Sequence, residues 1–471
     1  MFPLLPLLVL IPVAFMVPLL LAGERHSLRI ATASSAVVFL LSMYALYLGA
    51  HGGFGALSFS YAYLPSLGIS ASFQLTGYSG AFLVLSAIVL LCASICAGAF
   101  VKESHRIYGL LFLLAEASAL GHFLSGSLFM FFAFWELGDI AMFFMIHVFG
   151  GLERRHAAIK FLVYSTVASL ALLLGIIVIC ANVPTPTFDI SSIVSQSASI
   201  PQGAQFAAMI LLLLAFLIKM PVFPFHSWLE SAQSEAPATA GMLQSGMLLK
   251  AGAYGLILLL LMLPLASTYA KYLAVIFGFS ALYASLVAIR QSNLKRIAAY
   301  VGMVGTGVAA VGLVSLNPIG TAGGVYLLLG QGLASAMLFL VSGAVDESYG
   351  TPLFEKVRGV MDSMPSLAYS FIFCAFAFIG LPLTGGFVGY LLSASGAFKA
   401  YGIAGIVPLA AVALAGAFLF LVVEKSFAAS AGFTEPFESP RRVVYVAAGI
   451  LACATVVLGI LPGLLLAPLG L

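Results

Sequence analysis

Residues 216–255 read FLIKMPVFPFHSWLESAQSEAPATAGMLQSGMLLKAGAYG, and two features of this stretch decide how the chain is read. Lys219 and Lys250 interrupt runs that are otherwise apolar. Pro221 and Pro224 follow Lys219 directly, and proline lacks an amide donor and clashes with the preceding turn, so no helix runs unbroken through this point. Outward from here, composition identifies the solvent. Of 471 residues, 62% are hydrophobic and 7% charged, against about 25% charged in a soluble domain. Nineteen basic and 16 acidic residues cannot solvate a soluble fold of this length. Disordered chains and secreted disulfide scaffolds are excluded by the same figures. The five cysteines (Cys92, Cys96, Cys180, Cys374, Cys453) lie in apolar runs and read as small hydrophobes, not bridges or metal ligands. A net charge of +3 is too small to argue for nucleic acid. The expectation is an all-α polytopic membrane protein.

A bilayer core needs about 20 apolar residues per helix. Fourteen candidate spans meet this, approximately 2–22, 28–50, 78–100, 107–126, 128–149, 157–181, 205–224, 237–262, 268–289, 296–315, 321–345, 366–396, 402–428 and 442–464. The first lacks a basic leading region and a small-residue cleavage site, so it reads as a retained helix. The basic residues test the count, because loops alternate sides and Lys and Arg gather on the cytoplasmic one. Fifteen of the 19 fall in odd-numbered loops and only Lys271 and Lys399 in even-numbered ones, while Lys219 and Lys250 lie within spans. Fourteen spans with both termini facing away from the cytoplasm follow. The Ala- and Gly-rich composition points to a prokaryotic plasma membrane.

The informative residues are those that membranes disfavour, since a charge at the bilayer centre costs about 2.5–3.5 kcal/mol. Glu136 and Asp139 stand three apart in FAFWELGDIAMFF, on one helix face. Glu116 sits in LLFLLAEASALGHF, and Lys219 and Lys250 complete the set. Acids and bases at mid-depth can hold or release a proton according to their neighbours' charge. The competing reading is a static Glu–Lys clamp joining helices. FAFIGLPLTGGFVGYLL, 376–392, places a second break at Pro382. Breaks in corresponding spans of two halves point to inverted repeats with transport sites at the interruptions. Two inverted five-helix repeats are therefore expected at 101–262 (spans four to eight) and 263–428 (spans nine to thirteen). The first three spans, 1–100, precede them, and a C-terminal helix, 429–471, follows.

The stretch 216–255 resembles the antiporter-like membrane subunits of respiratory complex I, which are similar to subunits of Mrp-type antiporters and of energy-converting membrane-bound hydrogenases. FWEL around Glu136, AAIKFLVYSTVASLALLLG at 157–175, SNLKRIAAYVGMVGTG at 292–307, GQGLASAMLFLVSGAV at 330–345 and GLPLTGGFVGYLL at 380–392 extend the resemblance over roughly spans three to fourteen. The KMPVFP form of the break places it nearest the subunit M branch. The resemblance implies that Glu136 pairs with Lys219 and that Lys250 is the central relay lysine. Lys160 matches a basic residue of the sixth span that could equally be a positive-inside anchor. His226 and Trp228 match the loop after the break, where capping and interfacial anchoring compete with a relay role. The second half departs from the pattern: Gly305 and Gln331 stand where the family places histidines, and Tyr390 where it places lysine or glutamate, with Lys399 further on. Asp139 and Glu116 either reroute protons or tune Glu136.

The expected function is a cofactor-free membrane-arm subunit of a redox-driven proton or sodium pump. Its partners would be other membrane subunits, including redox subunits that carry iron–sulfur clusters. An Mrp-type sodium/proton antiporter subunit and a non-conducting spacer are the alternatives. No CxxC pattern, nucleotide-binding loop or haem-ligating pair places redox chemistry in this chain.

Overall fold

The structure, a computed structural model, describes residues 4–64, 68–428 and 435–470. The start of the first expected span and the boundary expected at residue 429 lie outside them. Thirteen helices among the described residues are long and apolar enough to cross a membrane. The twelfth expected span is the exception, because Pro365–Ile379 and Gly385–Tyr401 are two shorter helices separated at Gly380–Thr384. Counting that split span gives the fourteen expected.

The seventh span is split as well, into Gln202–Lys219 and Ser227–Glu235. The chain passes its two breaks in opposite directions, since one lies in an odd-numbered span and the other in an even-numbered one. The eighth span, Ala238–Met262, winds through a π-helical turn at Gln244–Leu248. There the Leu249 amide donates to the Gln244 carbonyl five residues back, at 3.0 Å. The thirteenth carries a similar turn at Val423–Phe427.

Contacts between loops fix the alternation of sides. On one face, Arg106 donates to the Ala22 carbonyl, joining the first and third loops. Lys102 pairs with Glu347 and Arg441 donates to the Gly98 carbonyl, bringing in the eleventh and thirteenth. Glu235, at the end of the seventh span, accepts from the Gly151 and Glu153 amides of the fifth loop. On the opposite face, the bridges Phe73–Ser125 and Ser127–Asp189 join the second, fourth and sixth loops, and Tyr401 donates to the Val314 carbonyl. The odd-numbered, basic loops thus share one face and the even-numbered loops the other.

One element was not expected. Strands Ser58–Leu64 and Ile69–Gln74 form an antiparallel hairpin in the second loop. The core lies around the eighth, tenth and eleventh spans, which are almost wholly enclosed by the rest. The eleventh (Pro318–Tyr349) and the second leg of the twelfth meet along glycines. A methyl on Gly389 would stand 2.4 Å from Leu327 Cα, and one on Gly396 2.2 Å from Gly320 Cα. Small residues of this kind let helix backbones approach closely inside membranes.

Candidate functional site

The break in the seventh span gives the site its shape. Lys219 ends the first leg, and the turn that follows is braced from both sides: the Trp228 indole donates to the Ile218 carbonyl (3.1 Å), and the Phe223 amide donates to Ser280 (3.0 Å). Trp228 is 2% exposed, so it is an internal strut across the break and not an interfacial anchor.

Lys219 Nζ donates to Asp139 Oδ1 at 2.5 Å, and both residues are 7% exposed. The ammonium also lies 4.5 Å from the Trp135 ring centroid, a cation–π contact. The partner expected for Lys219 was Glu136, and here the structure differs. Glu136 and Asp139 lie about 60° apart around the helix, and Asp139 is the one aimed inward. Glu136 is half-buried on the flank, beside Ser169 of the sixth span and within electrostatic reach of both Asp139 and Lys219. The pair is therefore a triad with two acids, one contacting the lysine and one beside it.

Lys250 follows the π-helical turn at 1% exposure and forms no ion pair with any described residue. An isolated charge of that kind is costly inside a membrane protein. Nearby in the sequence, both side-chain polar atoms of Gln244 lack partners.

Glu116 is fully buried but turned away, with Oε2 accepting from Ser34 of the second span at 3.0 Å. Lys160 Nζ donates to Ser231 (3.2 Å) and Tyr164 shares a hydrogen bond with Ser227 (2.8 Å), both on the second leg of the broken span. A plain surface anchor would point to the headgroups, whereas Lys160 points at that leg. His226 is 8% exposed, makes no capping bond, and lies against Phe223 and Tyr283, with its ring 6.3 Å from Tyr300. Tyr300 donates to Glu230 at 2.6 Å. Lys160, His226, Glu230 and Tyr300 thus form a polar group between the break and the basic face.

In the second half, Gln331 donates to the Tyr390 hydroxyl (2.8 Å) and to the Phe378 carbonyl (3.2 Å). A methyl on Gly305 would meet Gln331 Oε1 at 2.5 Å, so the glutamine occupies the space that Gly305 vacates. The three departures from the family pattern therefore form one neutral, mutually fitted group. Lys399 sits in the last turn of the second leg, remote from that group along the helix.

His122, a lone histidine in an apolar run of the sequence, also belongs to the site. It is 2% exposed and packs against Phe131, with ring centroids 4.0 Å apart and the planes tilted by 41°. With Lys219, Ser118, Trp135 and Ala251 it lines a cavity of ≈ 10 Å3.

Buried lysines and acids at broken helices in a bundle of this form define a class of ion-translocating membrane subunits. The family model described as the NADH:quinone oxidoreductase/Mrp antiporter transmembrane family matches residues 125–415. NADH-quinone oxidoreductase subunit M of Rickettsia prowazekii is 34% identical over 383 residues, 80% of this chain and 77% of that protein. F420H2 dehydrogenase subunit M of Methanosarcina mazei is 33% identical over 405 residues, covering 83% and 81%. Among solved structures, a chain of Thermus thermophilus respiratory complex I superposes with a TM-score of 0.90 at 28% identity, over 99% of this chain and 98% of that one. An archaeal membrane-bound sulfane sulfur reductase gives 0.87 at 25% identity, covering 99% and 77%. The Mrp complex of a Dietzia species shares the fold, at 0.86 and 22% identity. The chain belongs to the NADH:quinone oxidoreductase/Mrp antiporter transmembrane family.

Proposed function

We propose that this chain is a cofactor-free, proton-translocating subunit in the membrane arm of a redox-driven pump. The observation that carries the reading is the buried Asp139–Lys219 pair, flanked by Glu136 and followed by the unpaired, fully buried Lys250. Lysine ammonium and carboxylic acid groups store protons, and their charge responds to a neighbour's. Loss of a proton from Lys219 leaves Asp139 uncompensated, and this favours proton uptake from the basic face through the group at His226 and Lys160. Lys250, at the junction of the two repeats (101–262 and 263–428), passes the change in charge onward. Glu136, on the half-buried flank, is placed to feel the charge state of an adjoining subunit. The basic face is cytoplasmic, both termini lie outside, and the membrane is a prokaryotic plasma membrane. The chain works beside subunits that carry iron–sulfur clusters.

The test is made on the assembled complex. Purification in mild detergent should bring iron–sulfur subunits with the chain. In sealed vesicles, Glu136→Gln and Lys219→Ala should assemble and lose most of this subunit's coupled translocation. Lys250→Met, which fills a similar apolar volume, should do the same. A complex that pumps at the wild-type ratio with Lys219 or Lys250 replaced would reduce these residues to structural links.

A further inference from the structure

The first repeat contains a connection that the proposed relay does not use. His122 and Tyr254 stand between the buried lysines and the face formed by the even-numbered loops. His122 Nδ1 lies 3.3 Å from the Phe131 carbonyl oxygen. That oxygen can only accept, so Nδ1 carries the hydrogen and Nε2 the lone pair. Nε2 is buried and makes no hydrogen bond of good geometry, with the Ala251 backbone beside the ring. The ≈ 10 Å3 cavity that His122 shares with Lys219 is of the size that holds about one water. Beyond His122 lies the ring of Tyr254, with centroids 6.1 Å apart. Tyr254 is also one helical turn after Lys250, on the same face of the eighth span. Its other side opens on a cavity of ≈ 380 Å3 lined by Gln74, Thr76, Ser125 and Pro468 among others. Gln74 ends the hairpin, Ser125 lies in the fourth loop, and Pro468 follows the last span, so this vestibule belongs to the even-loop face. Lys219 by way of His122, and Lys250 from one helical turn away, thus lie on the same side as one tyrosine that lines the vestibule.

We infer that the first repeat carries its own outlet, a proton path from Lys219 through His122 and past Tyr254 into the vestibule at the even-loop face. The inference rests on the proposed relay role of the Asp139–Lys219 pair. In the step itself, a water in the small cavity takes a proton from the Lys219 ammonium and gives one to His122 Nε2. The imidazolium then releases that proton to water at the Tyr254 hydroxyl, which leads to the vestibule. Lys219 is left neutral beside a charged Asp139, and uptake from the basic face restores it. No oxidant or second substrate is required. The second repeat shows why an outlet would be needed here, since Gly305, Gln331 and Tyr390 offer no group there that takes up a proton and holds it.

The experiment uses the whole complex in sealed vesicles, with Lys219→Met as the reference for loss of this subunit's share of translocation. His122→Gln keeps a polar side chain but cannot carry the proton. Gln74→Cys, in a Cys453→Ala background, allows a bulky, membrane-impermeant thiol reagent to plug the vestibule from the even-loop face while the core stays untouched. Both complexes are expected to fall to the Lys219→Met ratio, and Tyr390→Phe to keep the wild-type ratio. An assembled His122→Gln complex at the wild-type ratio would overturn the outlet and leave His122 a core aromatic. A labelled Gln74→Cys complex at that ratio would overturn it too, and decides the matter alone if His122→Gln does not assemble. Should Lys219→Met itself pump normally, the relay falls and the outlet with it, which separates that failure from failure of the outlet alone.

Discussion

The two broken spans meet the same demand in opposite ways. At the first break the chain turns through Pro221 and Pro224, and the space around it holds charge: Lys219, Asp139 and the Trp135 ring, with unpartnered polar atoms on Asp139, Glu136 and His122. At the second break the turn rests on Gly380 and Leu383 at positive φ, with the Thr384 hydroxyl donating to the Leu381 carbonyl at 2.7 Å. There backbone packs closely on the side of the eleventh and fourteenth spans, while Ile379 and Tyr390 line a cavity of ≈ 430 Å3 with the thirteenth. Gly386 and Gly389 lie against the eleventh span, and Gly459 of the fourteenth leaves room for Leu383, whose carbonyl a methyl would meet at 2.2 Å. The first break leaves buried titratable groups with unpartnered atoms, as the proposed change of charge would need. The second holds neutral groups and packs them closely, with Gln331 Oε1 also left without a partner.

The largest effect that would test this contrast comes from the buried pair. Lys219→Ala leaves Asp139 charged in an enclosed site, and removing one partner of a buried ion pair costs about 3–5 kcal/mol. The double variant Lys219→Met/Asp139→Leu should recover thermal stability in detergent and still not translocate. Recovery of both would show that the pair is only a clamp. Next comes the glycine seam: Gly389→Leu drives a side chain into the Leu327 backbone and should cost about 1–3 kcal/mol or prevent assembly, read as the melting temperature of the purified complex. A wild-type melting temperature would mean that the second break is not the packed joint described here. Tyr390→Phe removes one hydrogen bond from Gln331, which keeps the Phe378 carbonyl, so a stability loss of about 1 kcal/mol with unchanged translocation is expected. Lost translocation would return the second half to the working path. The smallest effect is expected from Glu116→Gln, because a glutamine oxygen can still accept from Ser34. Its translocation ratio should equal the wild type's, and a fall to the Lys219→Met level would draw the second span into the relay.

Much of this contrast could be read before any coordinates. Apolar runs gave the spans, prolines both breaks, and the alternation of basic loops the parity that the loop contacts now show. Three things were hidden, each for a physical reason. Glu136 and Asp139 share a helix face, so spacing alone could not say which carboxylate turns toward Lys219; the sixth span decides that by packing beside Glu136. His122 lay in plain view in LLFLLAEASALGHF, but a lone histidine in an apolar run carries no sign of a cavity. The hairpin did leave a trace, for SFSYAYL alternates small with aromatic residues, a period of two inside a chain dominated by longer runs. The partnership of Gly305 with Gln331 follows from volume across two helices, which no local pattern records.

The π-helical turn at Gln244–Leu248 means that the eighth span keeps two separate angular phases. An ordinary helix advances about 100° per residue, so the facing of Ala238 would fix the facing of Lys250 twelve residues on. The wider turn interrupts that arithmetic. The upper segment, before the turn, is keyed by Gly241 against Phe339, the lower, after it, by Gly252 against Lys219 and Met220. Lys250 takes its bearing from the lower key. Inserting or deleting one residue within 244–248 would therefore be absorbed as a change of winding in the turn itself, while Lys250 keeps the facing that Gly252 sets.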